Sequence, residues 1–71
     1  MELKEFWEDA RWAEENYPEL QKRYQDKWVA VVDKKVVSYG ENRGDTKRRA
    51  MELTGRKYIP LFYVESGAAI Y

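Results

Sequence analysis

A chain of 71 residues with neither cysteine nor histidine lacks the two devices that most often hold small domains together, the disulfide and the structural metal site. Folding hides only about 60% of the surface that so short a chain exposes when unfolded, so there is material for one core and no more. What remains is a dense apolar core or association with another chain. Aromatic residues make up 15% of the sequence, with three Trp and six Tyr. Each such ring buries on the order of 150 to 250 Å², so a core can be built, and self-association carries a raised expectation beside it. The 37% charged fraction, with few Asn, Gln and Met and no Cys, is the composition typical of proteins from hot environments.

No apolar run approaches the roughly 18 residues that a bilayer span needs. The start, Met1 to Phe6, is acidic where a signal peptide would be basic and then apolar. The expected setting is the cytoplasm, without membrane contact. Thirteen basic and thirteen acidic residues cancel, yet they are unevenly placed. Residues 1 to 26 carry eight acids and four bases, whereas residues 43 to 57 carry six bases and two acids. Such a charge dipole either steers a partner or draws the two segments together within the fold.

Along the chain, Leu3, Phe6, Trp7, Ala10, Ala13 and Tyr17 recur at helical steps with charged residues between them, which predicts an amphipathic helix. Pro18 suits the first turn of a second helix, so a break near Asn16 and Tyr17 and a short helix to about Gln25 are expected. Trp28 to Val32 and Val36 to Tyr39 read as two strands around the polar turn Asp33-Lys34-Lys35. Asp45 is a plausible N-cap for a helix over Thr46 to Thr54, with Gly55 as its stop. Tyr58 to Val64 reads as a third strand that lies at an edge or begins after Pro60.

The resulting fold class is α+β, with N-terminal helices followed by a ββαβ unit. It is expected as a single domain over 1–71: a helical region over 1–25, the ββαβ unit over 28–65, and a tail or short strand over 66–71. The crossover rules place the first strand in the middle of a three-stranded, mainly antiparallel sheet with helices packed on it.

The stretch Trp28-Val-Ala-Val-Val-Asp-Lys-Lys-Val-Val-Ser-Tyr-Gly40, followed by a helix and an apolar strand, resembles a group of small prokaryotic domains of unknown function. These are built on a W-V-A-V-V-D-x-x-V-V-x-x-G hairpin, and the similarity runs over about residues 18 to 65. The sequence departs from that group at Asp26 and in the Asp-Lys-Lys turn, where the group often has Gly and Asp-Gly. The resemblance implies the architecture. Some members are described as antitoxin-like, which implies a toxin-binding role and carries over no functional residue.

The chemistry of the residues argues against catalysis. With no His, the commonest general base is missing, and Ser38 and Ser66 read as a solvent-facing strand position and a turn residue. Six of the thirteen carboxylates fall on the first helix as its solvated face, and carboxylates alone set no ligand spacing, so neither a metal site nor a cofactor is expected. The loop from Gly40 to Lys47 sits where phosphate-binding loops sit. Three residues instead of four separate its glycines, and Thr46 precedes Lys47, so the Walker pattern fails.

Two surfaces remain as candidates. Arg43, Lys47, Arg48, Arg49, Arg56 and Lys57 form one basic cluster that suits nucleic acid; its simpler reading is a salt-bridge row of Arg48, Glu52 and Arg56 on a helix whose Ala50 and Leu53 face the core. The other candidate is aromatic. Trp12 points about 140° from the centre of the first helix's apolar face and would be left in water. Tyr58 and Phe62 belong to a strand that is apolar on both faces. The expected function is therefore a non-enzymatic protein-interaction module, homodimeric or holding a protein partner through Trp12, Tyr58 and Phe62. Nucleic-acid binding through the basic segment 43–57 is the alternative. Since no ligand set is present, zinc, calcium and chelators are expected to leave the melting temperature unchanged; a shift of several degrees with any of them would contradict the absence of a metal site.

Overall fold

The computed structural model describes residues 2–65, so the expected tail or strand over 66–71, with Ser66, lies outside the described residues. Helices α1 (Glu2–Glu15) and α2 (Tyr17–Arg23) precede strands β1 (Lys27–Val31) and β2 (Val36–Gly40), helix α3 (Arg43–Thr54) and strand β3 (Leu61–Val64). The sheet order is β2-β1-β3, with β1 antiparallel to both neighbours, as the crossover argument requires. The break between the first helices falls at Asn16. Its backbone N–H and side-chain amide both donate to the Trp12 carbonyl, at 3.0 and 2.8 Å, and close α1 before Pro18 opens α2.

Alternation along β1 divides the interior into two layers. Val29 and Val31 pack with Ala13 of α1, Leu20 of α2 and Val64, and Trp12, Tyr24, Val36 and Phe62 close around them. Ala30 and Val32 pack with Ala50 of α3 and Ile59, flanked by Val37 and Leu61. The central strand is thus buried on both sides. Between Ala30 and Val31 the register slips: Val31 faces Val36 while Ala30 faces Ser38, leaving Val37 as the extra residue of a bulge. That slip sends Val36 to one layer and Val37 to the other. It also leaves Ser38 under α3, 7% exposed, rather than facing solvent as expected, and its hydroxyl has no hydrogen-bond partner among the described residues.

Helix α3 starts earlier than its sequence suggests. Asn42 is the N-cap: its side chain accepts from the Asp45 N–H at 2.9 Å, and its carbonyl accepts from the Thr46 hydroxyl. Asp45 therefore lies within the first turn rather than capping it. Gly55 ends the helix at a φ of 71°, as its placement implied. At the other end Gly40 lets α3 approach closely, because a Cβ there would lie 3.2 Å from the hydroxyl of the buried Thr46. Ala50 and Thr46 form the buried face of α3, while Leu53 is 71% exposed and does not face the core. Strand β3 begins only after Pro60, whose carbonyl accepts the Val31 N–H at 3.2 Å.

The hairpin turn is the least orthodox part of the fold. Asp33 and Lys34 both have positive φ, 55° and 59°, a geometry ordinarily given to Asn-Gly or Asp-Gly because a side chain there meets its own backbone. What holds it is Asp9. This residue of α1 is 4% exposed, and its carboxylate accepts from the N–H of Asp33 at 3.2 Å and of Lys34 at 3.0 Å. Two amides aimed at one carboxylate offset the strain. Asp9→Ala is expected to lower the unfolding free energy by about 2 to 4 kcal/mol, the loss of charge-assisted bonds plus two stranded donors. Lys34→Gly is expected to raise it by up to about 1 kcal/mol by relieving the left-handed backbone. Urea titration with unchanged slope checks both; an Asp9→Ala protein as stable as wild type would remove the clamp from the account.

Candidate interaction surface

The Asp9 clamp fixes how α1 is rolled on the sheet, and the roll differs from that read from apolar spacing. With Phe6, Asp9 and Ala13 turned inward, the helix is rotated by about 45° from a wheel centred on Leu3, Phe6, Ala10, Ala13 and Tyr17. Trp12 is carried inward by that rotation. It is half-buried against the Val29, Val31 and Val64 layer, so the expectation that it stands free in solvent is corrected. Trp7 and Leu3 are carried outward, and Trp7 is 67% exposed.

The exposed side of α1 is consequently a shallow groove of about 450 Å³ between the two indoles. Its walls are Trp7 and Trp12; Lys4, Glu8, Arg11 and Glu15 line it between them, and Lys34 of the hairpin turn borders it. None of those four α1 charges forms an ion pair with any described residue, although their spacing would allow pairs along the helix.

The other expected contact residues are not gathered here. Phe62 is packed within the same inner layer as Trp12. Tyr58 lies before β3, 44% exposed, with the Lys57 ammonium 6.0 Å from its ring centre. The three do not make one surface. A second aromatic group does occur at the end of the sheet, where the Trp28 and Tyr63 rings meet edge to face at 5.5 Å and the Arg43 guanidinium lies 5.6 Å over Trp28. Tyr63 is 44% exposed there.

The basic cluster is dispersed by the fold. Arg48 pairs with Asp45 at 3.1 Å, so the row of Arg48, Glu52 and Arg56 does not form. Arg56 lies beyond the end of α3 and turns to the other side of the molecule. There it binds Asp33 at 2.7 Å and Glu5 at 3.4 Å, its side chain only 16% exposed. Arg49 donates to the Tyr39 carbonyl at 2.7 Å. The bond from Val31 to Pro60 directs the odd-numbered residues of β1 toward β3 and the even-numbered ones toward β2; Tyr39, between Ser38 and Gly40, must therefore point its carbonyl outward. Arg49 covers that open edge. Lys47 is half-buried and, with Arg43 stacked on Trp28, completes the set.

Among the described residues no helix is long and apolar enough to cross a membrane, and no group of three or more acidic side chains is placed to hold a metal ion.

The fold and this surface define a small α+β domain with a paired-indole groove on its first helix. The chain belongs to the family of unknown function DUF5678, which matches it over residues 19–67. No curated protein and no solved structure matches the chain. The family match begins within α2, so α1 and its groove lie outside it.

If Arg56 ties α1 to the hairpin turn while Arg48 only decorates α3, their removal should differ. Arg56→Ala is expected to cost about 1 kcal/mol or more and Arg48→Ala less than about 0.5 kcal/mol, because a mostly covered pair is screened less than an exposed one. Denaturant midpoints decide it; equal effects would remove the distinction.

Proposed function

We propose that this chain is a non-enzymatic protein-interaction module whose contact surface is the outer face of α1. The observation that carries this reading is Trp7, an indole 67% exposed on a domain with little core to spare, beside a second indole and four charges that form no ion pair among the described residues. Exposed Trp with Arg at hand is the composition of binding hot spots, where a large ring is desolvated at small cost in conformational entropy. The absence of His and Cys leaves the groove without the usual base or nucleophile, which is why binding rather than turnover is the reading. An antitoxin-like role is one form that binding could take; its support is the resemblance of the hairpin alone.

A second reading, nucleic-acid contact through the basic segment, is favoured by one observation. Arg43 over Trp28, next to the exposed Tyr63, is the pairing of cation and aromatic face on which unpaired bases stack. Against it stand the zero net charge and the internal engagement of Arg48, Arg49 and Arg56.

Quantitative pull-downs with Trp7→Ser and Arg43→Glu variants, together with a mobility shift on mixed single-stranded DNA and RNA, separate the two. The interaction reading expects bound protein to be lost with Trp7→Ser and kept with Arg43→Glu, without a nucleic-acid shift. A salt-sensitive shift abolished by Arg43→Glu, with no protein dependent on Trp7, would replace it with the second reading.

A further inference from the structure

The face proposed above as the contact surface has an internal symmetry that specifies its partner. Around the midpoint of α1 between Asp9 and Ala10, Lys4 is as far to one side as Glu15 is to the other, Glu8 as far as Arg11, and Trp7 as far as Trp12. We infer that the outer face of α1 pairs with the same face of a second copy of this chain, the two helices antiparallel about a two-fold axis at that midpoint.

In an antiparallel pair, residues equidistant from the midpoint come to the same level. Lys4 then lies opposite Glu15 of the second copy and Glu8 opposite Arg11, each contact occurring twice. On the helical wheel Lys4 and Glu15 lie within about 10° of the centre of this face, and Glu8 and Arg11 within about 30°, on opposite sides of it. Trp7 of one copy and Trp12 of the other flank the seam in one layer. All four charges, which form no ion pair among the described residues, gain a partner of opposite sign.

The alternatives are excluded by the same charges. Parallel helices would set Lys4 against Lys4 and Glu8 against Glu8. Sliding the antiparallel pair by one turn in one direction sets Lys4 against Arg11, and in the other sets Glu8 against Glu15. Each slip places like charges at one level, so attraction at the chosen register is accompanied by repulsion at its neighbours. The sheet and α3 lie behind α1, opposite this face, and leave it accessible.

This inference rests on the interaction reading, and its test separates the two. Sedimentation equilibrium of the full chain is measured up to high micromolar concentration for wild type, Lys4→Glu, Glu15→Lys and an equimolar mixture of the two variants. A mixture of Lys4→Glu with Glu8→Lys serves as control, and circular dichroism confirms that each variant folds. Wild type is expected to dimerise, since two helices of 14 residues offer a small interface of modest affinity. Each single reversal places two like-charge contacts in its own homodimer and is expected to weaken association by roughly tenfold.

Mixing Lys4→Glu with Glu15→Lys is expected to restore wild-type affinity, because in that heterodimer both contacts are again of opposite sign; the control mixture retains two like-charge contacts and should not recover. A monomeric wild type, reversals that associate like wild type, or a mixture no tighter than its components would overturn the inference. If wild type is monomeric while Trp7→Ser still loses another protein in the pull-down, self-pairing falls and the interaction reading stands.

Discussion

Two hydrogen bonds, from the Asp33 and Lys34 amides to the Asp9 carboxylate, hold together the part of this molecule that its core cannot. The turn they close has two left-handed residues with side chains, which are costly in isolation. The same bonds seat α1 on the sheet at one depth and one roll. Arg56 reinforces the junction from the side, linking Asp33 of the turn to Glu5 of α1. A domain without cysteine thus uses a buried carboxylate as a cross-link between distant segments, residue 9 to residues 33 and 34.

The burial pattern shows why this junction matters. The β1 strand is covered on both faces, one by α1 and α2 and the other by α3, so each layer is thin. Val29, Val31 and Val64 are fully buried on one side and Ala30 and Ala50 on the other, small residues that bring backbone close to backbone. Thin layers tolerate little displacement of a helix, because a shift uncovers much of what the helix shields. Polar bonds at the rim therefore set positions that apolar contact alone leaves loose.

Much of this was legible in the sequence where a residue type has one physical use. Pro18 and Pro60 marked a helix start and a strand limit, Gly55 marked a helix end, and the run from Trp28 to Val32 marked the buried central strand. The roll of α1 was not legible, because periodicity counts apolar residues and assigns Asp9 to solvent. Once Asp9 turns inward, Trp12 follows it and Trp7 leaves. Leu53 misled in the same way, since the inner face of α3 is set by Thr46, buried with its hydroxyl bonded to the Asn42 carbonyl. Arg56 was placed in a helical row because Gly55 does not reveal where the chain goes after it stops the helix. Asp26 and Lys34 both have a φ of 59°, a backbone that neither residue type announces in a sequence.

The clamp also bears on how the helix outside the family match is attached to the matched region. The matched region begins at residue 19, whereas Asp9, Trp7 and every groove charge except Lys34 belong to α1. Asp9 binds backbone amides, which every residue except proline supplies, so the attachment of α1 asks little of the side chains in the turn. The outer face of the helix, in contrast, makes no ion pair with the described domain beneath it. Inner and outer faces are then set separately: one carboxylate keeps the helix in place, while the charges on its far side take no part in seating it. Because the clamp fixes the roll, it also decides which residues that far side comprises.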